Sequence, residues 1–375
     1  MDRGLTFWEA TFLMVGAGVG AGIMAVPYLA ERVGFGWLVV ILVVAYGASG
    51  LTHLLLAEVL FRTGRDLQVV ELMRLYVFRG RFGTVLLWAV FTFLGLAFVA
   101  NLAAYVSASG EIVTRLTGLA PRLAELAVYA AAAGVVFFGL KTVGVFERFG
   151  ALALFAVVLA LALGALGVPF RLDWTSSGGL PELLAVYGVA MYGYYTFFSV
   201  PQVVKGLSPD RRAAVRAIML GLLLNGLLMA AIAAIALGVS GEVTNVAVNG
   251  IAEALGSWAG TLGSLFVLVA LVTSYWSVSL ALADIVRERT AISARASWLL
   301  ATLPSLLVLY LGVWQFLEWL RLAAGLTAIP MYRNALREGP IQDPEWSLGR
   351  WGSPIMLGVI FLATVLMAIG AASGL

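Results

Sequence analysis

The chain has 375 residues, of which 62% are hydrophobic and only 11% are charged. A soluble domain of this length needs more charged surface, so the composition indicates a polytopic membrane protein whose partner is the lipid bilayer. With no cysteine and one histidine, the chain lacks the groups for disulfides, thiolate catalysis or a histidine metal cluster. We therefore expect no enzyme activity and no organic cofactor.

Eleven apolar runs have the length of about 20 residues that a membrane-spanning helix needs, which predicts an all-α fold. In chain order the predicted spans cover residues 6–32, 36–62, 82–117, 122–140, 142–168, 180–206, 209–239, 259–287, 296–312, 313–335 and 351–373. Short amphipathic helices are predicted in two loops, at 67–77 and 243–256. The first span is expected to target the protein to the cytoplasmic membrane without being removed.

Basic residues predict the orientation. With the N-terminus inside, 18 of the 23 Lys and Arg residues fall on the cytoplasmic side, four fall outside and Arg321 lies within span 10. This asymmetry follows the positive-inside rule and places the C-terminus outside. The net charge of +3 is thereby attributed to a cytoplasmic face, and no nucleic-acid partner is expected.

Spans 1 and 6 share a short internal similarity. The segments "IMAVPYLAERVG" and "FFSVPQVVKGLS" both carry an apolar pair, a small residue and then Val-Pro. This favours two five-span repeats, at 1–170 and 171–338, with the second inverted and span 11 added at 339–375. Inverted repeats that each open on an interrupted helix are typical of secondary transporters.

Span 1 contains "VGAGVGAGIMAVP" from Val15 to Pro27, with glycine at 16, 18, 20 and 22. One interpretation is helix packing through small residues four apart. A dinucleotide-binding loop is excluded because no strand precedes it. The third interpretation is a mid-membrane break, since each helical glycine costs about 1 kcal/mol relative to alanine. A break would expose amides and carbonyls to a carboxylate, an ammonium group and a small cation.

Span 6 contains "YGVAMYGYYTFFSVP", Tyr187–Pro201, in which Gly188, Gly193 and Pro201 interrupt an aromatic run. Proline removes a backbone donor and frees a carbonyl one turn earlier, which favours a break near Gly193–Phe197. A plain aromatic packing face remains the alternative for many of these side chains.

The two interrupted spans and the eleven-span count resemble the amino acid/auxin permeases and the hydroxy/aromatic amino acid permeases. Both belong to the amino acid/polyamine/organocation superfamily, which has the five-plus-five inverted-repeat fold of the bacterial leucine transporter. The resemblance implies a secondary transporter that works as a monomer by alternating access and carries a small neutral amino acid.

Span 8 contains Ala270-x-x-Thr273-Ser274, which resembles the A-x-x-T-S motif of sodium-coupled members. The resemblance implies one Na⁺ held by the Ala270 carbonyl, both hydroxyls, and the carbonyls of Gly16 and Val19. The alternative is that Thr273 and Ser274 bond only to their own helix.

The same resemblance implies a substrate site at the two breaks and span 3. Its expected residues are Gly18, Gly20, Ala21, Gly22, Asn101, Met191, Tyr192, Gly193, Tyr194 and Ser274. Among them, the amides of Ala21 and Gly22 are expected to hold the substrate carboxylate.

Coupling to Na⁺ is favoured because the proton-coupling lysine of some relatives, midway along span 5, is missing. The segment "ERFGALALFAVVLA" offers only apolar residues at that position, and Lys141 lies near the end of the span. Proton symport on the same fold and a non-transporting amino acid sensor remain the alternatives.

Further polar residues occur inside spans. Glu318 and Arg321 in span 10 form an i, i+3 pair that is either an outer gate or a self-neutralised pair. His53 and Glu58 in span 2 suggest a proton relay, although Glu58 is better placed to pair with Arg62 at i+4.

Overall fold

The computed structural model describes residues 4–20, 22–175, 178–240, 243, 247–309 and 317–373, and the secondary structure in these ranges is helical. The helices in chain order are α1 (Phe7–Val19), α2 (Gly22–Ala30), α3 (Phe35–Thr63), α4 (Val69–Tyr76), α5 (Gly80–Thr117), α6 (Pro121–Phe137), α7 (Leu140–Ala165), α8 (Leu180–Gly193), α9 (Val200–Gly206), α10 (Arg211–Val239), α11 (Ala247–Leu255), α12 (Ser257–Thr290), α13 (Ala294–Leu309), α14 (Leu317–Glu338) and α15 (Pro354–Ser373). One-turn 3₁₀ helices occupy Phe197–Ser199 and Gly349–Gly352.

In the part of the chain that the structure describes, the predicted spans and loop helices correspond to these elements; the junction of spans 9 and 10 at 310–316 and residues 244–246 of the second loop helix lie outside it. Spans 1 and 6 are each divided, into α1 with α2 and into α8 with α9, and the loop helices are α4 and α11. Within the described ranges, seven helical segments are long and apolar enough to cross a membrane, with α8 and α9 counted as one. The chain is therefore a multi-pass membrane protein, while the count of eleven spans stays a prediction.

Helix α1 lies at the centre of the bundle. Thr6 caps its first turn and Glu9 completes a capping box, and Glu9 also pairs with Lys141 of α7. Nearly every α1 residue from Glu9 to Val19 is buried, because α7, α10 and α12 pack around the helix. A helix that is apolar on all sides requires such an interior position.

The outer helices present apolar side chains outward. Val40 and Val43 on α3, and Phe149 and Leu159 on α7, are at least half exposed. Large exposed apolar side chains in a row suit contact with lipid chains rather than water. Helix α15 packs along α8, where the backbones of Gly188 and Gly370 approach closely.

Candidate functional site

The first break lies between α1 and α2. Helix α1 ends at Val19, and in a continuous helix the Ile23 amide would bond the Val19 carbonyl. Instead it donates to the Gly20 carbonyl over 3.3 Å. The interruption is thus confined to the chain between Val19 and Gly22, and Ala21 lies outside the described residues.

Gly16 and Gly18 remain helical and serve close packing. A Cβ on Gly16 would lie 1.7 Å from Oε2 of Glu147, and one on Gly18 would lie 2.6 Å from the Gly193 carbonyl oxygen. The packing interpretation therefore applies to these two glycines, whereas Gly20 belongs to the break. The expectation of a break reaching back to Gly16 is wrong, because dense packing around α1 keeps its last turn helical.

Two of the expected ion ligands, Gly16 of α1 and Ser274 of α12, are in direct contact. The Ser274 hydroxyl donates to the Gly16 carbonyl over 2.9 Å, and both residues are buried. The Thr273 hydroxyl donates to the Ala270 carbonyl over 3.1 Å, within its own helix. Ser274 thus reaches across to α1, while Thr273 makes the local bond that was the alternative for both hydroxyls.

A buried carboxylate stands beside this pair. Glu147 of α7 is fully buried, and its Oε1 accepts a hydrogen bond of 2.7 Å from the Ser277 hydroxyl of α12. Its Oε2 fills the position that a side chain on Gly16 would occupy, and it has no hydrogen-bond partner. Only the middle of span 5, where the residues are apolar, was considered from the sequence; Glu147, the first residue of the quoted segment, is the one that lies against Gly16.

The oxygen atoms at this junction of α1, α7 and α12 suit a small hard cation. Carbonyl, hydroxyl and carboxylate oxygens are the ligands that hard cations prefer, and Glu147 Oε2 is an orphaned buried oxygen beside them. Within the described part of the chain, no group of three or more His, Cys, Asp or Glu residues could hold a metal ion. The carbonyl, hydroxyl and carboxylate oxygens present fit a small hard cation such as Na⁺.

A small cavity lies between the two breaks. It encloses about 50 Å³ and is lined by Ala17, Gly18, Gly20, Phe98, Asn101, Tyr105, Tyr192, Tyr195, Thr196, Phe198, Ser199, Ser277 and Val278. This volume is smaller than the about 300–1,000 Å³ of most small-molecule pockets. Both interrupted spans, α5 and α12 contribute to its wall.

Only part of the expected substrate set lines this cavity. Gly18, Gly20, Asn101 and Tyr192 do so. Gly22 begins α2, while Ser274 points to Gly16 instead.

The remaining expected residues of span 6 lie away from the cavity wall. Gly193 packs against Met229, and the Tyr194 hydroxyl donates to the Leu42 carbonyl over 3.2 Å. Met191 is buried on α8 and is absent from the lining.

Other cavity residues were missed by the sequence analysis. Tyr195, Thr196, Phe198 and Ser199 line the wall from the segment between α8 and α9, and the Tyr195 hydroxyl is buried without a hydrogen-bond partner. The aromatic run around Gly193 signalled this region. It did not indicate which of its side chains face inward.

The second break extends from Tyr194 to Thr196, between α8 and the 3₁₀ turn. Its backbone is held by the only histidine of the chain. His53 Nδ1 lies 2.7 Å from the Ser49 carbonyl, which can only accept, so Nδ1 is the donor. Nε2 then accepts from the Thr196 amide at 3.3 Å and from the Thr196 hydroxyl at 3.0 Å. The Ser49 hydroxyl donates to the Tyr194 carbonyl over 3.1 Å.

The other polar residues that the sequence analysis noted lie in spans 2 and 10. Glu58 pairs with Arg62 as expected, but it is buried and also accepts from the Leu348 amide over 2.7 Å. His53 bonds to the second break rather than taking part in a relay with Glu58. Glu318 and Arg321 lie on α14, but their side chains are outside the described part of the structure.

Comparison with known proteins identifies the family. The model of the tryptophan/tyrosine permease family matches residues 3–375. The chain belongs to the tryptophan/tyrosine permease family. No curated protein matches the sequence of this permease.

The permease is also similar to a solved structure, MHP1, a nucleobase-cation-symport-1 family transporter in a closed conformation with bromovinylhydantoin bound. The TM-score is 0.69 at 16% identity, and the match covers 100% of this chain and 91% of that chain. It confirms the expected all-helical transporter fold of the leucine-transporter type. Together with the family it confirms a transporter rather than an enzyme. The repeat boundaries and the narrower resemblance to the two permease families stay predictions.

Proposed function

We propose that this permease is a symporter that couples the uptake of a neutral amino acid to one Na⁺ by alternating access. The observation that carries the proposal is the 2.9 Å bond from Ser274 of α12 to the Gly16 carbonyl of α1. It joins the A-x-x-T-S motif to the helix that ends at the first break. We further propose that the protein acts as a monomer in the cytoplasmic membrane, with its N-terminus inside and its C-terminus outside.

The cation site would comprise the carbonyls of Gly16, Val19 and Ala270 and the hydroxyls of Thr273 and Ser274. When Na⁺ binds, the Ser274 hydroxyl would turn its proton away from the Gly16 carbonyl, so that both oxygens face the ion. Binding would then fix the end of α1 relative to α12. Because coupling free energies are reciprocal, an ion that favours the substrate-binding geometry is in turn bound more tightly when substrate is present.

The amino acid would bind in the cavity between the breaks. Amides at the start of α2, from Ala21 and Gly22, would hold the carboxylate, since a helix N-terminus favours an anion. Gly18 and Gly20 would leave room for the substrate backbone, and Asn101 and Tyr192 would contact it from the wall. The unpartnered Tyr195 hydroxyl is a further candidate contact.

The substrate side chain would lie among aromatic rings. The cavity wall includes Phe98, Tyr105, Tyr192, Tyr195 and Phe198. A small neutral amino acid is the expectation from sequence. The ring-rich wall and the substrates in the family's name support testing tryptophan and tyrosine beside it.

Uptake into proteoliposomes tests the proposal. A panel of neutral amino acids is offered under an inward Na⁺ gradient alone and then under a pH gradient alone. We expect the Na⁺ gradient to drive uptake, and we expect the double variant Thr273→Ala with Ser274→Ala to lose this dependence. Wild-type uptake without any Na⁺ stimulation would contradict sodium coupling, and flux of no amino acid would favour a sensor.

Proton symport is the second candidate because the buried Glu147 carboxyl has no ionic partner among the described residues. A group of this kind either carries a proton or neutralises a bound cation. Uptake driven by the pH gradient alone would select this candidate.

A further inference from the structure

We propose that Glu147 is the charged ligand of the coupling-cation site, which the motif alone builds only from neutral oxygens. The inference rests on the sodium coupling proposed above and adds to that site a residue from a third helix, α7. Its basis is the position of the Glu147 carboxylate at the junction of α1, α7 and α12.

The first argument is the unmet bonding capacity of Glu147. An ionised carboxylate offers about four lone-pair sites. Glu147 receives one hydrogen bond, from Ser277 to Oε1, while Oε2 is buried and unpartnered. None of the ion pairs between described residues includes Glu147. Buried charges are normally paired or coordinate a metal, so this geometry lacks a positive partner.

The second argument is that, among the described residues, neither Lys141 nor Arg148, the basic residues of α7, supplies that partner. Lys141 lies six residues earlier on the same helix, about 9 Å along its axis. Its amino group pairs with Glu9 of α1. Arg148, the next residue of α7, leaves that face because successive helical residues point about 100° apart.

The third argument is that Glu147 Oε2 lies among other oxygen atoms of α1 and α12. Oε2 occupies the space where a side chain on Gly16 would begin, so it lies against the backbone of α1. The Gly16 carbonyl accepts from Ser274, and Ser277 binds the other carboxylate oxygen. Ser274 and Ser277 are three residues apart and share one face of α12. A carboxylate, a carbonyl and two hydroxyls thus meet at one junction.

The charge of this set favours a monovalent ion. One carboxylate with neutral oxygens gives a site of net charge −1, which a single Na⁺ neutralises within the membrane interior. A divalent ion would leave a net positive charge there, at a high desolvation cost. Ser277 also lines the cavity between the breaks, which links the ion ligand to the proposed substrate site.

Thermal stability in Na⁺ tests this role without measuring transport. The purified full-length permease is titrated with NaCl, with choline chloride keeping the ionic strength constant. We expect wild type to gain stability with Na⁺. Glu147→Gln should need about tenfold more Na⁺ for half the effect, because a neutral amide oxygen replaces the charged ligand; a tenfold change corresponds to about 1.4 kcal/mol of binding free energy.

Two further variants complete the experiment. Glu147→Asp keeps the charge but withdraws it by one methylene, so we expect an intermediate shift of the Na⁺ midpoint. Glu9→Gln is the matched control, a buried acid of α1 that is paired with Lys141. It should lower the melting temperature without moving the Na⁺ midpoint.

The outcomes separate the two proposals. A wild-type Na⁺ midpoint in Glu147→Gln, with a shifted midpoint in Ser274→Ala, would overturn the role of Glu147 and leave sodium coupling intact. A wild-type protein that does not respond to Na⁺ would overturn sodium coupling and the ligand role together. If Glu147→Gln does not fold, an unshifted midpoint in Glu147→Asp overturns the ligand role.

Discussion

The two helix breaks face the same cavity, yet their polar groups are satisfied differently. At the second break, His53 and Ser49 of α3 bind the Thr196 amide and the Tyr194 carbonyl directly. In the last turn of α1, just before the first break, Ser274 provides a single hydroxyl to the Gly16 carbonyl, and the adjacent Glu147 oxygen is left without a partner.

This difference suggests a division of roles. We propose that the second break, whose backbone is already bonded to the protein, acts as a fixed wall. The first break, which lies near the unpartnered oxygen of Glu147, would be completed by the proposed cation and would respond to it. Gly18 joins the two, because its Cα packs against the Gly193 carbonyl.

The largest effect is expected from a methyl group placed between the breaks. In Gly18→Ala the new Cβ would lie 2.2 Å from Asn225 Nδ2 and 2.6 Å from the Gly193 carbonyl oxygen. A backbone oxygen cannot move aside without displacing its helix. We therefore expect the free energy of unfolding to fall by about 3 kcal/mol, the upper end of the range for overpacked cores. Uptake should be abolished, as measured in proteoliposomes alongside the melting temperature.

Gly95→Ala is the control for this variant. Gly95 lies within α5, and a Cβ there meets no atom within 4 Å. We expect unchanged uptake. The free energy of unfolding should rise by up to about 1 kcal/mol, because alanine favours a helix more than glycine does. Normal uptake by Gly18→Ala would show that the breaks do not depend on this contact.

A smaller effect is expected at the second break. His53→Leu removes both ring nitrogens and leaves the buried Thr196 amide without its acceptor, which should cost about 2 kcal/mol. His53→Gln, whose amide oxygen is an acceptor, should lose less. The melting temperature measures both variants, and we expect the Na⁺ midpoint to be unchanged in each. A large Na⁺ shift in His53→Leu would contradict the division of roles.

Features encoded within one helix were predictable from the sequence. Hydropathy located the long apolar helices, and clustered glycines with a following proline located both breaks to within a few residues. Ser274, whose hydroxyl reaches Gly16, was singled out because its motif is local to α12. The start of the first break was placed too early because the packing that keeps Gly16 helical comes from other helices.

Features that depend on contacts between distant segments were not predictable. Glu147 and Gly16 are far apart in sequence, and nothing near Glu147 in the chain signals that the two meet. For a related reason, the sequence did not show which side chains of span 6 line the cavity. After α8 ends at Gly193 the helical rotation of about 100° per residue no longer applies, so Tyr195 and Thr196 face the cavity.

Amide hydrogen exchange with and without Na⁺ tests the division of roles most directly. Peptides covering Val15–Pro27 and Tyr187–Pro201 report the two breaks separately. At a Na⁺ concentration about ten times the dissociation constant, we predict that exchange in the first peptide slows about tenfold, since ligand binding stabilises by mass action. Exchange in the second should hardly change. Equal slowing in both peptides, or slowing in the second alone, would contradict the account.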